Sequence, residues 1–378
     1  MINESRMIEE FTRQAEIASP SYHEAEMARY LEERFKSLGG DVSFDDAGAQ
    51  LGGQVGNLIA RFPATGRKTS PLMLSVHMDT VSPCAGVRPV LREGVFYSAG
   101  ETVLGADDKA GIVEIVEALE VLHENAIPHG PIEVVVTVCE EVGLVGAKHL
   151  DLSLVEAKRC LALDTNGVDR LIHRAPGANK LRFEITGREA HAGIAPEQGV
   201  SAIEVAARAI AGLSLGRIDA ETTANIGTIH GGVATNIVPR TVVLEGEVRS
   251  HSAEKLQRQT EALLEGFRRA AGDLTRQVAG EPVTAQVECQ VLADYPIMHV
   301  PKEAEIVRLV EAAAGALGLP LEVAMAGGGS DANIFNQQGI ETVILGTGMT
   351  SVHTVDESVA VADLARIASL LVEVIRRA

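Results

Sequence analysis

Three short apolar runs constrain this chain more than any other feature: Leu72 to Val76 (LMLSV), Ile132 to Cys139 (IEVVVTVC) and Cys160 to Leu163 (CLAL). Each is too short for a core helix and too continuously apolar for a strand with one wet face, so each reads as a strand buried on both faces. Between the first two lies Lys109 to Asn125, with Ile112, Val116, Leu119 and Leu122 on one helical face. Strand, helix and strand in that order predict an α/β fold, a mixed but mostly parallel sheet sandwiched by helices. Two helices are expected over the first 38 residues, separated at Ser19-Pro20 and ended by Gly39-Gly40.

The pattern changes near Gly177. From Asn179 to about Leu292 it reads strand (KLRFEIT), helix (Val200 to Leu213), two strands (Asn225 to Ile229, Thr241 to Arg249), helix (Ala253 to Ala271) and strand (Val283 to Leu292). This β-α-β-β-α-β order is the ferredoxin-like split arrangement, which can carry its own core. The expected organisation is a discontinuous domain of residues 1–177 and 293–378 with an inserted lid over 178–292. Helix Glu303 to Leu317, strand Glu341 to Leu345 and helix Val361 to Arg376 complete the first domain. The insert is expected to close over its neighbour and exclude water, and to offer a surface for a homodimer.

Charge removes several function classes. Lys and Arg total 33 against 52 Asp and Glu, a net charge of −19, so the surface field repels nucleic acid and anionic membranes. Aromatic residues are 3% with no Trp, which leaves few stacking platforms for single strands. The charged first turns and the lack of a long apolar run predict a soluble, cytoplasmic chain. Cys84, Cys139, Cys160 and Cys289 lie far apart, form no C-x-x-C pair and read as reduced, small apolar residues.

The chemistry is expected where the buried strands end. LMLSV runs into His77-Met78-Asp79, IEVVVTVC into Glu140-Glu141 and CLAL into Asp164; Asp107-Asp108 precedes the Lys109 helix, and His353 follows the Glu341 strand. Ligands of open parallel sheets bind outside the carboxyl ends of the strands, so these groups can converge. Singly, each has an ordinary explanation: a helix cap for Asp107-Asp108, a solvated turn for Glu140-Glu141, a surface or satisfied ring for either histidine. Gathered together, uncompensated carboxylates would raise one another's pKa, a penalty that cations remove. Imidazole and carboxylate ligands without Cys suit zinc, with Co²⁺ or Mn²⁺ as substitutes, and the number of acids suits two ions. Gly100 to Gly105 (GETVLG) has the glycine spacing of a phosphate loop, but acids follow where Lys and Ser or Thr are required.

The ordered set His77-Met78-Asp79, Gly105 to Gly111 (GADDKAG), Glu140-Glu141-Val142-Gly143, Asp164 and His353-Thr354 resembles the di-zinc exopeptidase and aminoacylase family, in particular its tripeptide aminopeptidases of the peptidase T type. Gly187 to Gly193 (GREAHAG), Gly231 to Pro239 (GGVATNIVP) and Gly328 to Asp331 (GGSD) extend the resemblance over nearly the whole chain. It implies that His77 and Asp164 hold one zinc, Glu141 and His353 the other, and that Asp107 bridges both. Asp79 would accept the second imidazole N–H of His77, and Glu140 would be the general base for a hydroxide bridging the two ions. His191 would stabilise the oxyanion, from its own subunit or a neighbour's, while Asn236 and Arg249 would bind the substrate. For Arg249 a pairing with Glu247 or Glu245 is an equal alternative, and the glycine loop 327–331 is left outside the expected site.

The resemblance implies release of the amino-terminal residue from short peptides. Asp at the position of Asp164 accompanies aminopeptidases and dipeptidases in that family, whereas Glu accompanies carboxypeptidases and deacylases. The alternatives are an N-acyl amino acid hydrolase or carboxypeptidase of the same family and, from another class, a catalytically silent peptide-binding protein.

Overall fold

The structure is a computed structural model describing residues 1–378. It divides into two compact units, Met1–Ala175 with Met298–Ala378, and Pro176–Ile297. The insert therefore extends beyond the expected 178–292. Its first and last long strands in chain order, Gly177–Thr186 and Gln286–Tyr295, pair antiparallel from Thr186 opposite Gln286 to Ala178 opposite Tyr295, which carries the sheet past both limits. A Cβ on Gly177 would lie 2.9 Å from Ile297 Cγ1, so only glycine lets the two ends of the insert meet.

In the first unit the long sheet runs Asp41–Phe44, Leu58–Phe62, Ile132–Thr137, Leu72–His77, Arg159–Leu163, Glu341–Leu345, Arg170–Ala175, Met298–His299, with Glu322–Met325 also paired to Arg170–Ala175. Its four middle strands, from Ile132–Thr137 to Glu341–Leu345, are mutually parallel, and the outer ones supply the antiparallel pairs. Leu72–His77 and Ile132–Thr137 are buried at every position, as their largely apolar runs predict, and the one acid inside them, Glu133, accepts the N–H groups of Glu156 and Ala157. Leu74, Val134, Leu161 and Ile344 share one core with Ile112 and Ile115 of helix Ala106–Glu124, Val310 of Glu305–Ala316, and Ile367 and Leu371 of Val361–Arg377. Four parallel strands place four carboxyl ends side by side.

Two local expectations need correction. The Ile132 strand stops at Thr137, and Cys139 adopts φ +53°, which turns the chain before Glu140. Helix Ala106–Glu124 starts three residues before Lys109, yet Asp107 and Asp108 have non-helical torsions and the peptide between them is cis. A small sheet of Pro89–Arg92, Val95–Ser98 and Ser358–Ala360 was not legible in the alternation pattern.

The insert forms a five-stranded antiparallel sheet in the order Gly216–Arg217, Thr222–Gly231, Thr241–Ser250, Gly177–Thr186, Gln286–Tyr295. Leaving aside the two-residue edge strand, this is the split arrangement expected. Helices Ala202–Gly212 and Ala253–Asp273 bury Val205, Leu263 and Phe267 against Leu181, Phe183 and Ile185, with the rings of Phe183 and Phe267 stacked at 3.9 Å. The hairpin Thr275–Val278 with Glu281–Thr284 is an addition that the sequence did not reveal.

Candidate metal centre

The middle strands of the first unit bring their end residues together. His77, the last residue of its strand, lies with Nε2 3.1 Å from Asp107 Oδ1 and 4.0 Å from Asp164 Oδ1. His353 Nε2 lies 3.2 Å from Asp107 Oδ2 and 3.0 Å from Glu141 Oε1. One ligand atom each from His77, Asp107 and Glu141 falls within 4.8 Å of the others. Asp107 thus turns one carboxylate oxygen to each histidine, which is the arrangement a shared ligand between two cations needs.

The hydrogen on His77 gives a test of whether this set suits metal. Its Nδ1–H donates to the Asp79 carbonyl oxygen at 2.9 Å, which in a neutral ring leaves the lone pair on Nε2 facing Asp107 Oδ1. Two acceptors at 3.1 Å require something positive between them, a proton or a metal ion. Without metal the proton is held strongly. Burial acts to lower the His77 pKa, but Asp107 and Asp79 outweigh it and raise it well above the ordinary value. His353, bonded to Asp107 and Glu141, rises to about 10. Asp107, bonded to both histidines, is held low, whereas other acids shift upward: burial first, then Asp164, raises Glu140, and burial first, then Asp107, raises Asp164. Histidines that cling to protons beside carboxylates that resist ionising form a site short of positive charge, and divalent cations fit it.

The surrounding groups correct two expectations. Asp79 carboxylate is not the primary partner of the His77 ring, since its Oδ1 stands 3.5 Å from Nδ1 while the carbonyl oxygen of the same residue takes the hydrogen. The carboxylate instead accepts the N–H of Glu140 at 2.9 Å, the N–H of Glu141 at 3.2 Å and the Ser21 hydroxyl at 2.7 Å. Its geometry fixes the turn that presents Glu140. Nor do Asp107 and Asp108 cap their helix. Asp108, fully buried, accepts the backbone N–H of His77 at 3.2 Å, and the free amides at the helix start go to Glu357.

Five participants escaped the sequence reading. Glu24 accepts the amides of Tyr22 at 2.9 Å and Cys139 at 3.2 Å, and the Cys139 thiol as well, so it holds the far side of the Glu140 turn. Burial pushes the Cys139 thiol up, so this cysteine is an uncharged donor rather than a simple apolar filler. Asp331 receives the Thr137 hydroxyl at 2.5 Å at the end of the strand that leads to Glu140, and burial raises it to about 6. Ser21 and Glu357 are the others. The only signal available was the presence of polar residues in short turns, which does not distinguish a buried carboxylate from a solvated one.

In the insert, the amides of Gly193 and Ile194 both donate to His191 Nδ1 at 3.2 Å, so the neutral ring carries its hydrogen on Nε2. Asn236, exposed, is tied to the same loop through its carbonyl, which accepts the Ala192 N–H at 2.9 Å. Arg249 is half-buried and pairs with Glu247 at 2.9 Å, the structural alternative recognised for it.

Comparison with known proteins follows the same line. Peptidase family M20/M25/M40 matches residues 73–377. This chain belongs to that family. The M20 chain is 42% identical over 379 residues to the uncharacterized protein YqjE of Bacillus subtilis (strain 168), covering 100% of each. Its structure is similar to that of the aminopeptidase PepT from Bacillus cereus ATCC 10987, with a TM-score of 0.90 and 41% identity over 100% of this chain and 99% of that one. It is similar also to a tripeptidase from Staphylococcus aureus subsp. aureus mu50, with a TM-score of 0.94 and 38% identity over 100% of this chain and 98% of that one. The M20 chain is therefore a peptidase with the α/β architecture of that family, and its substrates are peptides. No helix is long and apolar enough to cross a membrane.

Proposed function

We propose that this peptidase is a cytoplasmic, metal-dependent aminopeptidase that removes the amino-terminal residue of short peptides, tripeptides foremost. The observation that carries the reading is Asp107, whose two carboxylate oxygens meet two different histidines at 3.1 and 3.2 Å. The similarity to a PepT aminopeptidase and a tripeptidase over the full chain supports the substrate class.

His77 and Asp164 would hold one divalent cation, Glu141 and His353 the second, and Asp107 would be shared; zinc suits the donors, with cobalt or manganese as substitutes. A bound pair supplies Lewis acidity and makes a water molecule easier to deprotonate. Glu140 takes that proton as the water oxygen attacks the peptide carbonyl, and returns it to the departing amine. His191, with its hydrogen on Nε2, donates to the developing oxyanion. Asn236 and Arg249 bind substrate, Arg249 sharing its guanidinium between Glu247 and a peptide carboxylate. The insert is also the surface through which two chains would pair, a state that a solution mass measurement reads directly.

The test is a panel of di-, tri- and tetrapeptides, free and N-acetylated, incubated with zinc- or cobalt-loaded protein. The expected products of a free tripeptide are one amino acid and one dipeptide. Preferential cleavage of the acetylated peptides would sink the aminopeptidase reading.

A further inference from the structure

We propose that Glu357 is a positioning residue of the metal centre, a single buried carboxylate that ties the segment carrying Asp107 to the loop carrying His353. The inference rests on the dinuclear reading above and names a residue outside the ligand set. Glu357 is only 1% exposed. Its Oε2 accepts the N–H of Leu104 and of Gly105, each at 2.8 Å, and its Oε1 accepts the N–H of Asp107 at 2.9 Å. Both oxygens thus accept from backbone amides, and Glu357 is not among the convergent ligand atoms of His77, Asp107 and Glu141. Two of the three donors precede the helix body, which makes the contact more than a helix cap.

The other end of the clamp is the His353 loop. His353 stands at φ +63° in a turn, its side chain 49% exposed, so the turn's own packing holds it weakly. The loop is closed at its base by Thr350 and Ser358, whose N–H groups donate to each other's carbonyl oxygens at 2.9 and 3.1 Å. Glu357 is the next residue inward, and its N–H donates to Thr354 O at 3.2 Å. The carboxylate therefore reaches from the anchored root of the His353 turn to the amide of Asp107, residues 250 positions apart. A glutamine offers one acceptor where the carboxylate offers two, and turns an N–H₂ group toward an amide that also donates. Asp107 and His353 would then be free to drift relative to each other, although neither has been changed.

Cobalt binding tests this without reference to turnover. Unloaded wild-type protein, Glu357→Gln and Glu357→Asp are titrated with Co²⁺ and followed by visible absorption, with circular dichroism melts reporting the fold. Glu357→Gln is expected to bind cobalt about ten- to a hundredfold more weakly, the usual effect of losing an outer partner of a metal ligand, with a melt that is lowered by the unpaired buried amide but still cooperative. Glu357→Asp keeps both oxygens but withdraws them by one methylene, and is expected to fall between the two. Wild-type cobalt affinity and spectrum in a folded variant overturn the proposal. If neither variant folds, Glu357 is a residue of the fold and the positioning role is likewise overturned. Wild-type protein that takes up fewer than two cobalt ions refutes the dinuclear reading instead, so the two failures are distinct.

Discussion

Replacing Glu140 by Gln separates the proposed chemistry from the architecture that supports it. The substitution keeps the side chain's shape. The backbone of residue 140 is held by its N–H to Asp79 Oδ1 at 2.9 Å, a contact that does not involve the side chain. The ligands His77, Asp107, Glu141, Asp164 and His353 are untouched, so metal content should be unchanged. What disappears is the proton carrier, and a positioned general base is worth roughly 10²–10⁴ in rate, about 2.7–5.4 kcal/mol of barrier. A second effect has the opposite sign. In the metal-free chain Glu140 is buried beside Asp164 and its pKa is raised, so holding it ionised at neutral pH costs folding energy. The glutamine variant should therefore melt higher than wild type after chelation while turning over far more slowly with metal. The assay is initial-rate tripeptide hydrolysis by cobalt-loaded protein, paired with metal analysis and with melts in chelator. Turnover within tenfold of wild type, with two ions bound, would refute the assignment of the base.

Other consequences follow from the same geometry. Chelation should lower the melting temperature markedly: each ion present at a hundredfold its Kd contributes about 2.7 kcal/mol, so two contribute about 5, on the order of 7–10 °C in a calorimetric scan for a chain of this size. Asp331→Asn should stabilise the chelated protein at pH 7 by up to about 3 kcal/mol, because burial raises this carboxyl from 3.8 to about 6. Since the folded-state value is the raised one, the penalty is complete above pH 6, shrinks as pH falls and is absent below about pH 4, where urea melts of the two proteins should coincide. Asp79→Asn leaves one acceptor oxygen for donors from Glu140, Glu141 and Ser21; we expect a loss of about 1–3 kcal/mol in urea unfolding. The same variant should lose about ten- to a hundredfold in turnover at saturating metal as the Glu140 turn loosens.

The parallel layer was legible because strands buried on both faces are predominantly apolar, and LMLSV, IEVVVTVC and CLAL are, broken only by Ser75, Glu133 and Thr137. The residues that follow them were legible for a related reason: a strand end is the first place where the chain can carry a charged group without burying it in the sheet. The boundaries were less so. Nothing in IEVVVTVC distinguishes Thr137, where the strand ends, from Cys139, which turns at φ +53°, because both are compatible with an apolar run. The hairpin at Thr275–Thr284 was hidden for the opposite reason, since its strands are four residues long and mostly exposed, which gives periodicity little to act on.

The sequence by itself determined the fold class, the insertion and the residue types able to meet at the sheet edge, since these depend on periodicity and chain order. Only the tertiary structure decided what each carboxylate does. Asp107 faces two histidines while Asp108 next to it holds a backbone amide; Asp79 fixes the Glu140 turn more than the His77 ring; Glu24 and Glu357 bind amides 115 and 250 positions away. The physical reason is that local pattern reports how much water a residue will lose, whereas a buried carboxylate's role is set by which donors meet it, and those come from distant parts of the chain.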